Sequence, residues 1–573
     1  AICSFLPLYL APASVAEIVK PLFVVLAVSL GLSWILALCQ TTTFGNFILK
    51  EAVPGGAMKD PYDTKLYHKF EKFLTLLIKR RFVTLTTVFV TLVLSLVIMA
   101  VMPQSFFPKM NKPYFRADLV FPEGFSIHAV DQDVMKVEDY LKNHEKVKSY
   151  SVTLGGTPLR YYLASSSFGP KSNYANVMVE TKDPEDAAEV EQQFYEHMTQ
   201  NFPNIITRSA LFALSPVPEA AIEIGFIGEN PDTLTALVER AKKIARQCDM
   251  VTDIRSNWGD KVPVWKPMFS QQKGLRLGIT RQQVANSFRT ATNGLPLGEY
   301  REGDVSLPIL LKDEDVEKMN LNDVKSVPVF STKGNSVKVE QVIDNFALGY
   351  DYNVVRRFNR ERCMMMQCEP KRGANTMAAF KQVLTAVQEQ MQLPEGYKMK
   401  YFGEQETQDV SNAALAKNIP LTFLLIYVVL LFLFPSNYRK PVLIMLMLPL
   451  VFIGVVWGLL LFGKSLDFFA ILGLLGLIGM NIKNAIVLVD EIGLQLKDGK
   501  GAVPAVVEAT KTRIVPVTMA SGTTILGMLP LLGDAMFAGM AATIMGGLFV
   551  STVLTIFVLP VTYCIFFKIR ADR

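Results

Sequence analysis

The sequence is poor in the side chains that carry covalent chemistry. It has only 6 cysteines and 4 histidines in 573 residues. The cysteines lack the spacing of a zinc site. The polar stretch between residues 103 and 418 contains only His128, His144 and His197, and none has a defensible nucleophile–base spacing. We therefore expect no catalytic residues, no metal site and no cofactor.

Charge is also scarce. Charged residues make up 19% of the chain and the formal net charge is only +6. The positive charges are scattered, so the basic patch that marks a nucleic-acid partner is missing. Half of the residues are hydrophobic, and they are concentrated in long runs at 1–40, 82–102, 419–434, 441–463, 466–489, 514–533 and 537–567. Several runs reach the roughly 20 residues that a membrane-spanning helix needs. This pattern excludes a purely soluble enzyme, a disordered chain and a disulfide scaffold.

The start of the chain does not have the pattern of a signal peptide. It has no initiator methionine and no basic leader, and it opens within the apolar run Ala1–Ala11. We interpret this as a chain that begins inside a transmembrane helix. Cys363 and Cys368 are close enough in sequence for a disulfide, but we favour free thiols on a short strand.

Lysine and arginine in the short loops predict the membrane topology. They cluster in 41–81, 435–440, 494–513 and the C-terminal tail, which we place in the cytoplasm. Residues 103–418 then lie outside it. Within the first cluster, Tyr67–Leu77 has apolar residues at helical spacing. This favours an amphipathic helix on the inner membrane surface, or a cytoplasmic helix packed on the bundle.

Two internal repeats indicate the domain organisation. Residues 137–156 match 241–260 at an offset of 104, whereas Phe202-Pro203 matches Leu393-Pro394 at an offset of 191. The second copy is thus longer by 87 residues, and the insertion falls between about 260 and 355. The pattern of each copy predicts two consecutive strand–helix–strand units, which is the ferredoxin-like arrangement. A weaker repeat of Ile2–Leu8 with Ile525–Leu531 suggests a duplicated six-helix unit, as in many transporters.

One ionisable residue lies deep within an apolar run. Lys483 is about 16 residues from Asp467, which is roughly 24 Å along a helix. A lysine at this depth needs a carboxylate partner, and Asp490 and Glu491 stand further along, at the cytoplasmic end. No other apolar run has an acid at matching depth, so we expect the partner on helices outside this chain. The alternative is that Lys483 extends to the cytoplasmic surface.

Three motifs make the chain resemble the second half of a resistance-nodulation-division (RND) exporter. The first is Gly479, Lys483, Asn484 and Ala485 before Asp490. The others are Arg513 with Pro516, and Gly527 with Pro530 and Leu531. The resemblance covers the whole chain and implies that Lys483 and Asn484 belong to a proton relay, with the proton-binding carboxylates on a helix that this chain lacks.

In the next helix, only some of the relay residues implied by the resemblance match this sequence. Arg513 matches an arginine of the family, although it is equally suited to anchoring the topology. The relay threonine of the family aligns with Ala520, a departure from the pattern. Thr518 is our candidate for the hydroxyl and Ser521 an alternative, but either side chain would bond equally well to its own helix.

The resemblance also implies a substrate path and a substrate class. Segment 155–174 corresponds to a mobile loop in which Tyr161, Tyr162 and Phe168 would contact amphiphilic substrates; a surface loop with locally packed aromatics is the alternative. Heavy-metal exporters of the family usually lack the lysine, so Lys483 favours the drug and amphiphile branch. A cluster of soft ligands favours the metal branch instead, unless it merely fills the core: Cys363, Met364, Met365, Met366 and Cys368.

We therefore predict an α+β membrane protein: a helical transmembrane bundle with a large periplasmic part of ferredoxin-like subdomains and an inserted docking domain. The predicted domains are the end of a first-half bundle (1–40), a cytoplasmic connector with an amphipathic helix (41–81), a transmembrane helix (82–102), porter subdomain 1 (103–215), porter subdomain 2 (216–259 and 356–410), a docking insertion (260–355) and a five-helix bundle (411–573).

The function implied by the resemblance is proton-driven export of drugs or amphiphiles by alternating access, without covalent chemistry. The implied location is the inner membrane of a Gram-negative bacterium. The implied partners are two further copies in a trimer, a periplasmic adaptor, an outer-membrane channel and membrane lipid. The alternatives are a Cu/Ag-type exporter, a membrane-anchored periplasmic scaffold or enzyme, and a relative that handles lipids or assists secretion. The inserted domain argues against the last of these.

Overall fold

The computed structural model describes residues 2–10, 14–48, 62, 64–105, 111–159, 170–212, 219–313, 323–331, 334–435 and 437–569. The chain divides into two compact units, one formed by Ala1–Asn257 with Arg356–Arg573 and the other by Trp258–Val355.

The first unit combines long helices with two sheets. The helices of the chain are α1 Leu6–Leu10, α2 Ser14–Ile48, α3 Lys65–Lys79, α4 Arg81–Val101, α5 Ile127–Lys142, α6 Ala187–Asn201, α7 Pro231–Ala245, α8 Gln271–Leu277, α9 Arg281–Thr290, α10 Thr376–Gln390, α11 Glu404–Leu433, α12 Arg439–Leu446, α13 Val451–Leu461, α14 Phe468–Lys497, α15 Ala502–Met528 and α16 Ala538–Phe566.

The strands alternate with these helices outside the membrane spans. They are β1 Tyr114–Val120, β2 Val147–Leu154, β3 Tyr174–Thr181, β4 Ile206–Leu211, β5 Ile222–Ile227, β6 Val251–Ser256, β7 Lys261–Phe269, β8 Leu295–Glu302, β9 Val305–Leu311, β10 Pro328–Phe330, β11 Ser336–Lys338, β12 Ile343–Tyr352, β13 Arg357–Phe358, β14 Glu361–Pro370 and β15 Lys398–Gly403.

Within the described residues, seven helical spans are long and apolar enough to cross a membrane: Lys20–Ile48, Arg81–Val101, Glu404–Leu433, Arg439–Leu461, Phe468–Lys497, Ala502–Gly533 and Ala538–Phe566. The last three pack together with α12 and α13, and α16 is the most enclosed of them. The chain therefore has the helices of a multi-pass membrane protein.

Glycines allow α13 and α16 to approach closely. A methyl group on Gly458 would lie 2.7 Å from the carbonyl oxygen of Ala542 and 2.8 Å from the Cα of Gly546. Small residues at helix contacts are a common way to pack helices in membranes, because the backbones then make the contact. These glycines thus determine the spacing of the two helices.

The amphipathic helix that the sequence predicts is α3. Leu74 and Ile78 are buried on one side of it. Phe70 packs on that side too, with its ring 5.6 Å from the ring of Phe557 in α16. Helix α3 is therefore packed on the bundle, while its other side is exposed.

The first ferredoxin-like subdomain runs β1–α5–β2–β3–α6–β4, and its antiparallel sheet has the order β2-β3-β1-β4. Ser126 caps the start of α5, because its hydroxyl accepts a hydrogen bond from the N–H of Ala129. It buries four apolar residues at helical spacing, Val130, Val134, Val137 and Leu141. These pack on the alternate buried residues of β1, Phe115, Ala117 and Leu119.

The second subdomain has the same connectivity with one interruption. Strand β5 lies between β14 and β15, and β6 pairs with β14. The order β6-β14-β5-β15 therefore repeats the order of the first sheet, and the chain between β6 and β14 contains the second unit. The two sheets and the long apolar helices confirm the predicted fold class.

The unit Trp258–Val355 has its own small core. Strands β7 and β12 pair antiparallel, and α8, α9 and β10 surround eight buried residues: Ile279, Val284, Ala291, Val327, Val329, Val339, Val342 and Ile343. Thr280 and Gln283 form a capping box at the start of α9. The hairpin β8–β9 is exposed along both strands.

A polar layer joins the two ferredoxin-like subdomains. Arg372 donates hydrogen bonds of 2.7 Å and 2.5 Å to the two oxygens of Glu191 in α6. Arg208 of β4 lies 3.5 Å from Asp253 of β6. Glu191, Arg208 and Asp253 are largely buried, so their pairing with opposite charges is needed to offset the loss of water. Arg372, in contrast, is exposed.

Glu223, on β5 within the same region, is 7% exposed. Burial raises its pKa to about 7, although Gln367 and the N–H of Ala220 donate hydrogen bonds to it. The carboxyl group of Glu223 therefore titrates near neutral pH.

We expect Gly458→Ala to destabilise the helix bundle. The added methyl group meets the backbone of α16, and overpacking of this kind costs roughly 1–3 kcal/mol. Thermal unfolding of the purified protein measures the effect. Gly522→Ala is the matched control, because nothing lies within 4 Å of a methyl group at that position. Equal unfolding temperatures for the two variants would contradict the close helix contact.

We expect the folded protein to lose stability as the pH rises from about 4.5 to 7, through Glu223. An unfolded glutamate loses its proton near 4.5, whereas the folded Glu223 keeps it until about 7. The folded state is thus penalised at the higher pH. Glu223→Gln should flatten this slope, measured as unfolding temperature at pH 5 and pH 8. Glu180→Gln is the control. Lys148 lowers the pKa of Glu180 below its usual 4.5, so this carboxylate is ionised in both the folded and the unfolded state from pH 5 to pH 8, and its removal should leave the slope unchanged.

Candidate functional site

Lys483 lies in the middle of α14, on a side that the described helices leave open. Its side chain is exposed, whereas its neighbours Ile482 and Asn484 are buried. Among the residues that the structure describes, none makes a hydrogen bond or an ion pair with it. A lysine in a membrane helix is costly without a partner. The open side of α14 is therefore where a carboxylate would have to approach.

The opposite side of α14 forms polar contacts with α15 and α16. Asn484 donates to the hydroxyl of Ser521 at 3.4 Å, and Ser521 lies 2.6 Å from the hydroxyl of Thr552. One turn earlier, Asn481 accepts a hydrogen bond of 2.5 Å from Ser551. All five side chains are buried. Hydrogen bonds between helices satisfy polar groups where lipid provides no partner, so these contacts hold α14 in one rotation.

Arg513 of α15 pairs with Glu491 near the other end of α14. Its Nε and Nη2 lie 3.0 Å and 2.5 Å from the same oxygen of Glu491. Gln495 donates to the second oxygen at 2.9 Å. The resemblance had placed Arg513 in the relay without a partner. Glu491 precedes and Arg513 follows the short connection between α14 and α15. Opposite charges on either side of a short connection indicate an ion pair, a signal that sequence reasoning overlooked.

The two candidate hydroxyls have different surroundings. Thr518 is exposed and donates to the carbonyl oxygen of Ile514, four residues earlier, at 2.7 Å. Ser521 is 4% exposed and joins α14 to α16 as described above. Rotation about the helix axis separates them, and a linear sequence carries no direct measure of that rotation. Asn484 and Ser521 thus come together, while Thr518 does not join them.

The predicted substrate-path residues Tyr161, Tyr162 and Phe168 lie outside the described residues. The soft-ligand cluster is described, and it lies on β14. Cys363 packs with Ile227 and Phe402, and burial raises the pKa of its thiol to about 11. Cys368 is fully buried and its pKa is raised to about 12 for the same reason.

Neighbouring side chains of β14 point to opposite faces of the sheet. Cys363 and Met365 thus share one face, and Met364 and Met366 the other. No disulfide joins Cys363 to Cys368. Among the described residues, no group of three or more histidine, cysteine, aspartate or glutamate side chains is arranged to hold a metal ion. The cluster thus has the surroundings of core residues.

Known proteins resemble this chain along its length. The nickel and cobalt resistance protein CnrA of Cupriavidus metallidurans is 27% identical over 61% of this chain and 33% of its own length. The multidrug export protein AcrF of Escherichia coli is 24% identical over 81% of this chain and 46% of its own length. The chain thus spans half or less of these two relatives.

A solved structure of a heavy metal efflux pump has the same fold. It superposes with a TM-score of 0.77 over 98% of this chain and 56% of the pump, at 19% identity. The family model for the AcrB/AcrD/AcrF family matches residues 1–567. The resemblance read from Lys483 and its neighbours is therefore confirmed, and the chain belongs to the AcrB/AcrD/AcrF family of RND efflux transporters.

Proposed function

We propose that this chain forms part of a proton-driven exporter that moves drugs or amphiphilic small molecules from the inner membrane and periplasm by alternating access. The observation that carries the proposal is the position of Lys483. It is a cation in a membrane-spanning helix, on an open side, with no ionic partner among the described residues.

A carboxylate that approaches Lys483 from the open side would form an ion pair while ionised. Protonation removes the charge of the carboxylate and weakens the pair. The lost interaction energy then favours an arrangement in which the two helices have separated or shifted. The buried contacts of Asn484 and Asn481 hold α14 while this happens, because they lie on its other side. In this proposal Lys483 is the relay cation and Asn484 positions its helix.

Of the two hydroxyls, we assign the relay role to Ser521 rather than Thr518. Ser521 is buried and contacts both Asn484 and Thr552. A hydroxyl both donates and accepts hydrogen bonds, so it adapts when a neighbouring charge appears. Arg513, paired with Glu491, holds the cytoplasmic half of α15 against α14 in the same arrangement.

The relatives include exporters of two substrate classes, so the substrate class is the second part of the proposal. The lysine of the Gly479–Ala485 motif favours drugs and amphiphiles. The burial of Cys363, Met364 and Cys368 supports this choice, because core side chains are poorly placed to transfer a metal ion along a path. Heavy-metal export is the alternative, which the names of CnrA and the solved pump favour.

The assembly and the location follow from family membership as further proposals. The ferredoxin-like subdomains would be porter subdomains with a cleft for substrate, bordered by Tyr161, Tyr162 and Phe168. The unit Trp258–Val355 would be a docking domain for an outer-membrane channel or a periplasmic adaptor. Three copies would form the working transporter in a bacterial inner membrane.

We expect Lys483→Ala to abolish proton-coupled export by the protein in its native membrane, because the relay carboxylate then has no cation to pair with. Lys497→Ala is the matched control. It removes an exposed lysine from the cytoplasmic end of the same helix and should leave export near the wild-type rate. The assay compares efflux of a fluorescent amphiphilic cation with efflux of Ni²⁺ and Cu⁺ from loaded vesicles under a proton gradient.

The same assay separates the parts of the proposal. Export of the amphiphile alone supports the drug branch, and export of metal alone supports the alternative. Unchanged export by the Lys483→Ala protein would contradict the relay. A protein whose only activity is an enzymatic one that survives this substitution would be the scaffold or enzyme considered from the sequence.

We expect Ser521→Ala to slow export more than Thr518→Ala. Ser521→Ala removes a contact between three helices, and one hydrogen bond between membrane helices contributes about 0.6–2 kcal/mol. If that contact is needed to reach the transition state, the rate falls by up to about thirtyfold. Thr518→Ala removes only a bond to its own helix. The pH dependence of export should shift for Ser521→Ala alone, whereas equal profiles would show a purely structural role.

A further inference from the structure

Helix α3 has one side that the bundle does not cover. That side carries a row of basic residues and, beside it, exposed apolar residues. Lys65, Lys69, Lys72 and Lys79 recur at intervals of four, three and seven residues, so they form one row along the helix. All four are exposed. Arg80, which follows directly, is exposed as well and extends the row.

A strip of exposed apolar side chains lies beside the basic row. Leu66 is 74% exposed, and Phe73 and Leu76 are each 49% exposed. Leu66 and Leu76 lie next to the lysines. Phe73 borders the packed side, because its half-exposed ring also lies 5.4 Å from the ring of Phe557 in α16. Helix α3 thus has a packed side, an exposed apolar side and an exposed basic side.

The basic row has no ionic partner within the protein. None of Lys65, Lys69, Lys72, Lys79 and Arg80 makes an ion pair with a residue that the structure describes. The single acid of the helix, Glu71, lies on the half-buried flank. Five neighbouring cations repel one another, so a source of negative charge in this position would be stabilising.

The exposed strip continues into a membrane-spanning helix. Helix α4 begins at Arg81, immediately after α3, and spans to Val101. Its first residues Phe82 and Val83 are 70% and 63% exposed. Because α4 enters the membrane at this point, α3 lies at the level of the lipid headgroups. An apolar strip beside a basic row is the arrangement of a helix that lies in the membrane interface.

We propose that α3 binds anionic phospholipids of the leaflet that it borders. The row from Lys65 to Arg80 would contact the phosphate groups. Leu66, Leu76 and the exposed part of the Phe73 ring would enter the boundary between headgroups and acyl chains. Basic residues close to a membrane surface attract anionic lipid with a substantial contribution from each cation. The proposal depends on the membrane location of the chain and is independent of proton-driven export.

The test uses the full protein from its native membrane, stripped of lipid in a neutral detergent. Phosphatidylglycerol or phosphatidylcholine is added back, and the unfolding temperature and the number of retained lipids are measured. The variant changes Lys65, Lys69 and Lys72 to glutamine. The control changes Lys142, Lys243 and Lys381 to glutamine, which removes the same charge from exposed positions on α5, α7 and α10.

We expect phosphatidylglycerol to stabilise the wild type and the control, and to bind the variant at least about tenfold more weakly. High salt should reduce the difference, since charges at a surface are screened. An equal response of variant and control would overturn the proposal and would indicate that another part of the protein covers α3. A full response to inorganic phosphate alone would overturn it too, because the ligand would then be free phosphate. Equal unfolding temperatures without lipid confirm that the variant folds.

Discussion

Hydrogen bonds between buried side chains of α14, α15 and α16 determine which residues of this membrane bundle are available for function. A polar group inside a bilayer must find its partner within the protein, because lipid offers none. Asn481 and Asn484 are three residues apart and meet partners on α16 and α15. Lys483, between them in sequence, is thereby directed to another side of the helix. The exposure of the lysine thus follows from the satisfaction of its neighbours.

The two ends of α14 are held differently from its middle. At its start, Asp467 accepts a hydrogen bond from the N–H of Ala470 and caps the helix. Toward its end, Glu491 pairs with Arg513 and Gln495. The helix is therefore secured at both ends and along one side, while the side with Lys483 remains open. A carboxylate would therefore be able to pair with Lys483, or to leave it, without breaking the other contacts of the helix.

Much of the fold was readable from the sequence, because its signals are local or repeated. Apolar runs predicted the membrane spans, and the offsets of 104 and 191 predicted two ferredoxin-like subdomains. The choice between Thr518 and Ser521 was not readable, since it depends on the rotation of α15 about its axis. The pairing of Arg513 with Glu491 depends on how two helices are offset along their length. Whether Cys363 is a core residue or a metal ligand was not readable either, because this depends on what packs against each face of β14.

The connection of the inserted unit has a consequence for how such chains change over time. Its flanking strands β6 and β14 are themselves paired, with Ser256 opposite Met366. Within the unit, Lys261 is opposite Tyr352 in the pairing of β7 with β12. On each side of the junction, the strand that enters and the strand that leaves are therefore paired with each other. The entropic cost of closing a loop at such a point grows only slowly with the length of the loop. A change in the length of this segment therefore costs the rest of the chain little, and the unit is able to vary while the ferredoxin-like sheet around it stays unchanged.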